Sequence, residues 1–141
     1  MRLLLLLLSV LFVPTAAAQI SIGGQLGEPT GLALKIGDGQ GAILVAVGWD
    51  LGDDDVSVEA HYLLRSRGLR GNRNVRLFYG PGLFGSFGED RKDRFGLSLG
   101  VGLETEIVQD IELYGLISPR LQLIDQTDFD LGGGVGVRLQ L

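Results

Sequence analysis

Phe129-Asp130-Leu131-Gly132-Gly133-Gly134-Val135-Gly136-Val137-Arg138-Leu139-Gln140-Leu141 ends the chain, and its alternation decides the fold. Successive side chains of a strand point to opposite faces, so Phe129, Leu131, Gly133, Val135, Val137, Leu139 and Leu141 share one side. Asp130, Gly132, Gly134, Gly136, Arg138 and Gln140 share the other. Residues 94–106 repeat the pattern, with Phe95, Leu97, Leu99, Val101 and Leu103 against Arg94, Gly96, Ser98, Gly100, Gly102 and Glu104. Both runs outlast the usual strand of about five or six residues.

Outward from these two runs, the same period predicts strands at 20–26, 31–37, 42–50, 56–65, 73–87, 94–106, 111–124 and 129–141. No stretch sustains a helical period. Turn residues fill the short gaps, as in Glu28-Pro29-Thr30, Asp38-Gly39-Gln40-Gly41 and Asp125 to Asp128. Links this short join antiparallel neighbours, because a parallel crossover takes about a dozen residues or more. Eight strands joined in an up-and-down meander close into a barrel.

A closed barrel of this size is either a soluble carrier with its apolar face inside or a transmembrane barrel with its apolar face outside. Glycine separates the two. The polar face carries Gly23, Gly31, Gly37, Gly48, Gly80, Gly82, Gly96, Gly100, Gly102, Gly132, Gly134 and Gly136, whereas the apolar face carries Gly24, Gly85, Gly115 and Gly133. Gly weakens a strand, and a wet exterior would use Thr, Lys or Glu instead. Inside a narrow barrel the same glycines make room for long side chains. Lys35, Arg76, Arg120 and Arg138 face the same way as Glu59, Glu104, Glu112 and Asp130, and enclosed charges must pair. The expected fold class is therefore an all-β, eight-stranded antiparallel up-and-down transmembrane barrel with a plugged polar interior. A soluble periplasmic barrel binding a small apolar ligand is the alternative.

Composition agrees with one such domain. Of 141 residues 45% are hydrophobic, 21% charged and 23 are Gly, with mean hydropathy +0.29, which excludes disorder, and the lack of a Gly-x-y period excludes collagen. There is no Cys, so thiolate metal sites and cysteine nucleophiles are excluded. A net charge of −5 argues against nucleic acid as a partner. Met1 to Ala18 combines Arg2, an apolar run through Val13, Pro14 and Ala16-Ala17-Ala18, which predicts a cleaved secretory signal peptide over 1–18 and a barrel domain over 19–141. The apolar run is shorter than the roughly 20 residues that a spanning helix needs. Cleavage after Ala18 leaves 123 residues and, by removing Arg2, takes the formal charge from −5 to −6.

The rims are expected to differ. Connections on the side away from the termini hold Glu28, Asp53, Asp54, Asp55, Glu89, Asp90, Asp93, Asp125 and Asp128 against Arg91 and Lys92, a net of −7. The other side holds Asp38 and Asp110 against Arg67, Arg70 and Arg73, a net of +1. With both termini in the periplasm, the acidic rim faces outward. Trp49, Phe87, Phe95 and Phe129 gather at that rim, and only Tyr62 approaches the opposite one.

Leu26-Gly27-Glu28-Pro29-Thr30-Gly31-Leu32-Ala33-Leu34-Lys35 resembles the start of a family of small bacterial outer-membrane barrel proteins with a Gly-Glu-Pro-Thr-Gly motif. Ala60-His61-Tyr62-Leu63, Phe78-Tyr79-Gly80 and Thr127-Asp128-Phe129-Asp130 extend the resemblance over nearly the whole mature chain. It implies an outer-membrane barrel of unassigned role and transfers no catalytic residues. It also implies outer-membrane lipids and the barrel-assembly machinery as partners. Such proteins usually end in an aromatic residue that the machinery reads, whereas this chain ends in Leu141.

Candidate chemistry is sparse. Gly80-Pro81-Gly82-Leu83-Phe84-Gly85 spells G-x-G-x-x-G, but Ser86 to Asp93 offers no helix N-terminus to hold a pyrophosphate. His61, the only His, shares the inward face with Glu59 and Ser57, the parts of a nucleophilic site in a lipid-modifying enzyme. An inward His cannot reach a membrane lipid, so an interior His bonded to Glu59 or an Arg is expected instead. Asp53-Asp54-Asp55 lacks the alternate-residue spacing of a calcium loop. No catalytic, cofactor-binding or metal residue is expected, and long interior side chains argue against a wide pore.

Overall fold

The computed structural model describes residues 19–37, 41–50, 55–65, 75–88, 93–123 and 127–141; residues 1–18, where a signal peptide is expected, lie outside them. Eight strands follow one another: β1 (Gln19–Glu28), β2 (Gly31–Gly37), β3 (Gly41–Asp50), β4 (Asp55–Arg65), β5 (Val75–Phe87), β6 (Arg94–Val108), β7 (Ile111–Gln122) and β8 (Asp128–Gln140). Each pairs antiparallel with the next, and β8 pairs with β1 to close the barrel. At the closure Ser21 lies opposite Gln140 and Glu28 opposite Gly133, and the Leu141 amide donates to the Ile20 carbonyl.

Exposure follows the expected alternation on every strand. Leu97, Leu99, Val101 and Leu103 of β6 face outward, while Gly96, Ser98, Gly100, Gly102 and Glu104 are buried. Two prolines sit within strands, both facing outward. The β4–β5 ladder skips Tyr62 and Leu63 beside Pro81, and the β6–β7 ladder skips Leu99 and Gly100 beside Pro119. A proline has no N–H to give to one of its two neighbouring strands.

The inward glycines stand against bulk. A Cβ added at Gly102 would lie 2.4 Å from the Phe78 ring, at Gly136 2.6 Å from Tyr114, at Gly96 2.7 Å from Phe84 and at Gly132 2.3 Å from the Arg120 guanidinium. Each is a clearing for one long side chain. The interior differs from expectation in one respect, because Ala33, Leu44, Leu63, Phe78, Tyr114 and Leu116 form a buried apolar cluster between its charged ends. Rings and aliphatic chains fill volume without adding charges that would need partners. Tyr79 also joins Tyr62 as an exposed outward aromatic, diagonally adjacent across β4 and β5 through the Leu64–Tyr79 pair.

Gly102→Leu is therefore expected to destabilise the barrel by about 1–3 kcal/mol in denaturant unfolding, since overpacking a filled core forces rings off their rotamers. Gly115→Ala faces outward with its nearest neighbour, a Val135 methyl, 3.8 Å away, and should cost nothing measurable.

Candidate functional site

Inward-facing charge collects at the two ends of the lumen. Toward the termini, Lys35 on β2 lies across the barrel from Glu104 on β6 and Glu112 on β7. Its Nζ donates to Glu112 Oε1 and Oε2 at 2.7 and 2.9 Å and to Glu104 Oε2 at 3.2 Å. Arg138, the direct cross-strand partner of Glu112, donates to Glu104 at 3.0 Å and to Glu112. Arg76 approaches the same two carboxylates at 3.6 and 3.7 Å. Arg138 is 1% exposed, and its guanidinium lies 3.9 Å from the Tyr114 ring centroid, a cation–π contact on the face that makes no ion pair. Tyr114 in turn donates to Gln25 at 2.7 Å.

At the other end Arg120 is the hub. Its Nη2 donates to Glu59 Oε2 at 2.9 Å and to the Glu28 carbonyl, and its Nη1 faces Glu28 and Asp130 carboxylates at 3.9 and 4.0 Å. Arg94 lies 3.7 Å from the same Asp130. These groups line a polar vestibule of about 470 Å³ with Pro29, Ser57 and Asp55. The Gly27-Glu28-Pro29-Thr30-Gly31 turn forms its lip. Gln25 Nε2 donates to the Pro29 carbonyl at 2.9 Å, and the Thr30 hydroxyl bonds both the Gly27 amide and the Gly27 carbonyl. The motif residues thus build a turn fastened from inside the lumen.

The expected four positive and four negative inward charges are all present and all within 4.0 Å of an opposite charge. They divide unevenly. Lys35, Arg76 and Arg138 outnumber Glu104 and Glu112 at one end, while Glu28, Glu59 and Asp130 outnumber Arg94 and Arg120 at the other. An eight-stranded lumen is too long for one side chain to reach both ends, so balance over the chain becomes two opposite small excesses.

His61 lies between these ends, with its Nε2 3.2 Å from Glu59 Oε1. Ser57 is elsewhere, with its hydroxyl 3.4 Å from Ser86. Two serines that sequence reasoning passed over take its place: Ser98 Oγ is 2.9 Å from His61 Nε2, and Ser118 Oγ is 3.5 Å from it while donating to Glu59. Alternation puts both on the inward face, but only the barrel's closure brings β6 and β7 against β4. The constellation is not a nucleophile relay. A relay uses one ring nitrogen for the serine and the other for the carboxylate, whereas here both meet Nε2. Ser118 is 0% exposed and His61 2%.

The G-x-G-x-x-G run lies entirely within β5, followed by no helix among the described residues, and a Cβ at Gly82 would strike the His61 ring. Of the acidic run Asp53-Asp54-Asp55, only Asp55 is within the described residues, and most rim charges lie outside them. Among the described residues, no group of three His, Asp or Glu is placed to hold a metal ion.

No family model and no curated protein matches the chain. Among solved structures it is similar to the N-terminal β-barrel domain of Pseudomonas aeruginosa OprF, with a TM-score of 0.62 over 88% of this chain and 96% of that domain. At 13% identity the likeness is one of fold: a closed, all-β, eight-stranded antiparallel barrel.

Arg120→Ala should destabilise the barrel by about 3–5 kcal/mol in denaturant unfolding, because it leaves Glu59 buried without its cation. Adding Glu59→Gln to Arg120→Ala should recover part of that loss, since an amide needs no counter-charge.

Proposed function

We propose that this protein is an integral outer-membrane β-barrel, exported by a signal peptide over 1–18, with a plugged lumen and a structural or surface-contact role. The carrying observation is the inverted distribution of polarity. Leu26, Leu32, Ile117, Leu131 and Val135 are each more than half exposed, while Lys35, Glu59, Glu104 and Arg138 are each 4% exposed or less. In water such a band would be a continuous apolar patch far beyond what a soluble monomer tolerates. In hydrocarbon it is the expected surface, and closure leaves no sheet edge to satisfy. Trp49, Phe87, Phe95 and Phe129 at one rim, with Tyr62 and Tyr79 nearer the other, suit the two lipid–water interfaces.

The soluble-carrier alternative needs an apolar, open interior, and the lumen's ion pairs and packed rings speak against it. A lipid-modifying activity would need an accessible nucleophile, which buried Ser98, Ser118 and His61 do not supply. Ion-paired ends and the Phe78–Tyr114 layer between them support a barrel that does not conduct. The partners proposed are outer-membrane lipids and, during biogenesis, the barrel-assembly machinery; nucleic acid is not among them.

The mature chain is expected to require detergent, to migrate at different apparent mass on gels before and after boiling, and to give no steady conductance in planar bilayers. A monodisperse chain in plain buffer would refute the membrane reading. Steady conductance would refute only the plugged lumen. A deletion strain, assayed for envelope permeability, would test the structural role.

A further inference from the structure

The outward apolar band is not the same height all round. β2 has only 7 residues, from Gly31 to Gly37, and presents just Leu32, Leu34 and Ile36 outward. Tight connections limit it at both ends. Gly31 pairs with Gln25 and Gly48, and Gly37 pairs with Ala42, with three residues between β2 and β3. On the far side β6 has 15 residues, and β7 and β8 beyond it have 12 and 13, each presenting six outward positions. A strand rises about 3.3 Å per residue, which at a tilt of about 45° gives roughly 16 Å of vertical wall at β2 and about 30 Å at β8. An outer-membrane barrel's apolar band is about 25 Å tall, and a spanning strand has about 9–11 residues.

A bilayer of uniform thickness would therefore draw the polar turn Glu28-Pro29-Thr30 or the Asp38-Gly39-Gln40 link into hydrocarbon beside β2. Polar groups there that are not bonded from inside the lumen, as the Glu28 and Pro29 carbonyls are, would lose their water without replacement. Burying the face against a second copy would not lengthen the wall. Lipid can adapt, since a bilayer thins next to a short hydrophobic surface at a small cost per Å.

We propose that the wall at β2, carried by Leu32, Leu34 and Ile36, is a short wall that thins the adjoining bilayer and gathers short-chain lipids against it. This rests on the membrane reading above and adds a lipid preference confined to one side of the barrel.

The sole Trp, Trp49, lies next to the end of β3 beside β2, and Phe95 next to the start of β6 at the same rim on the tall side. The test reconstitutes the full mature barrel in vesicles mixing a short-chain phosphatidylcholine with a brominated long-chain one, and compares quenching of Trp49 with that of the Trp in Trp49→Phe/Phe95→Trp. A second pair, Leu34→Trp and Ile117→Trp, each with Trp49→Phe, repeats the comparison at mid-wall. The brominated lipid should quench the short-side Trp of each pair at least about twofold less than its tall-side counterpart, because chains that match the wall are enriched beside it. Equal quenching within both pairs overturns the short-wall inference and leaves the membrane reading standing. No quenching at any of the four positions overturns the membrane reading, and the inference with it.

Discussion

Closing eight strands on themselves leaves an interior only as wide as the side chains that fill it, and in this barrel the fill is charged. Lys35, Arg138, Glu104 and Glu112 can share one end of the lumen only because each carboxylate meets more than one cation. The rest of the interior follows from the same constraint. Glycine clears the space opposite each ring or guanidinium, as Gly102 does for Phe78 and Gly132 for Arg120, and the apolar layer separates the two charged ends. Removing a partner from such a lumen strands a charge, whereas removing a clearing displaces a ring. Both failures come from lack of room.

The turn at Gly27-Glu28-Pro29-Thr30-Gly31 shows how the lumen reaches the rim. Its carbonyls are held by Gln25 and Arg120, and these are tied through Tyr114 and Glu59 to non-adjacent strands. A motif that reads in sequence as a simple connection is thus part of the interior network. The same low turn limits β2, so the interior's need for an inward-fastened lip and the exterior's uneven height meet at one place.

Much of this was legible in the chain. All eight strands were predicted within a few residues of where they lie, because period 2 runs without interruption and the turns between are short. The inward glycines and the eight inward charges were also legible, since strand alternation fixes a residue's face locally. The apolar layer was not. Leu44, Leu63, Phe78 and Leu116 share the nominally polar face, and alternation records polarity on average, not what a particular depth of the lumen must hold. Nor was the pairing of His61 with Ser98 and Ser118, which lie 37 and 57 residues away.

By itself the sequence determined the number of strands, their antiparallel order and which side chains point inward, because each depends on local extension and short connections. Register then sets the contacts between hairpin neighbours, such as Glu112 with Arg138 and Arg76 with Glu104. The tertiary structure alone decided which inward groups meet across the lumen: Lys35 with Glu104 and Glu112, Glu59 with Ser118, and Gln25 with Tyr114. Those meetings depend on the stagger with which the sheet closes, and stagger is a property of the whole ring of strands that no single hairpin contains.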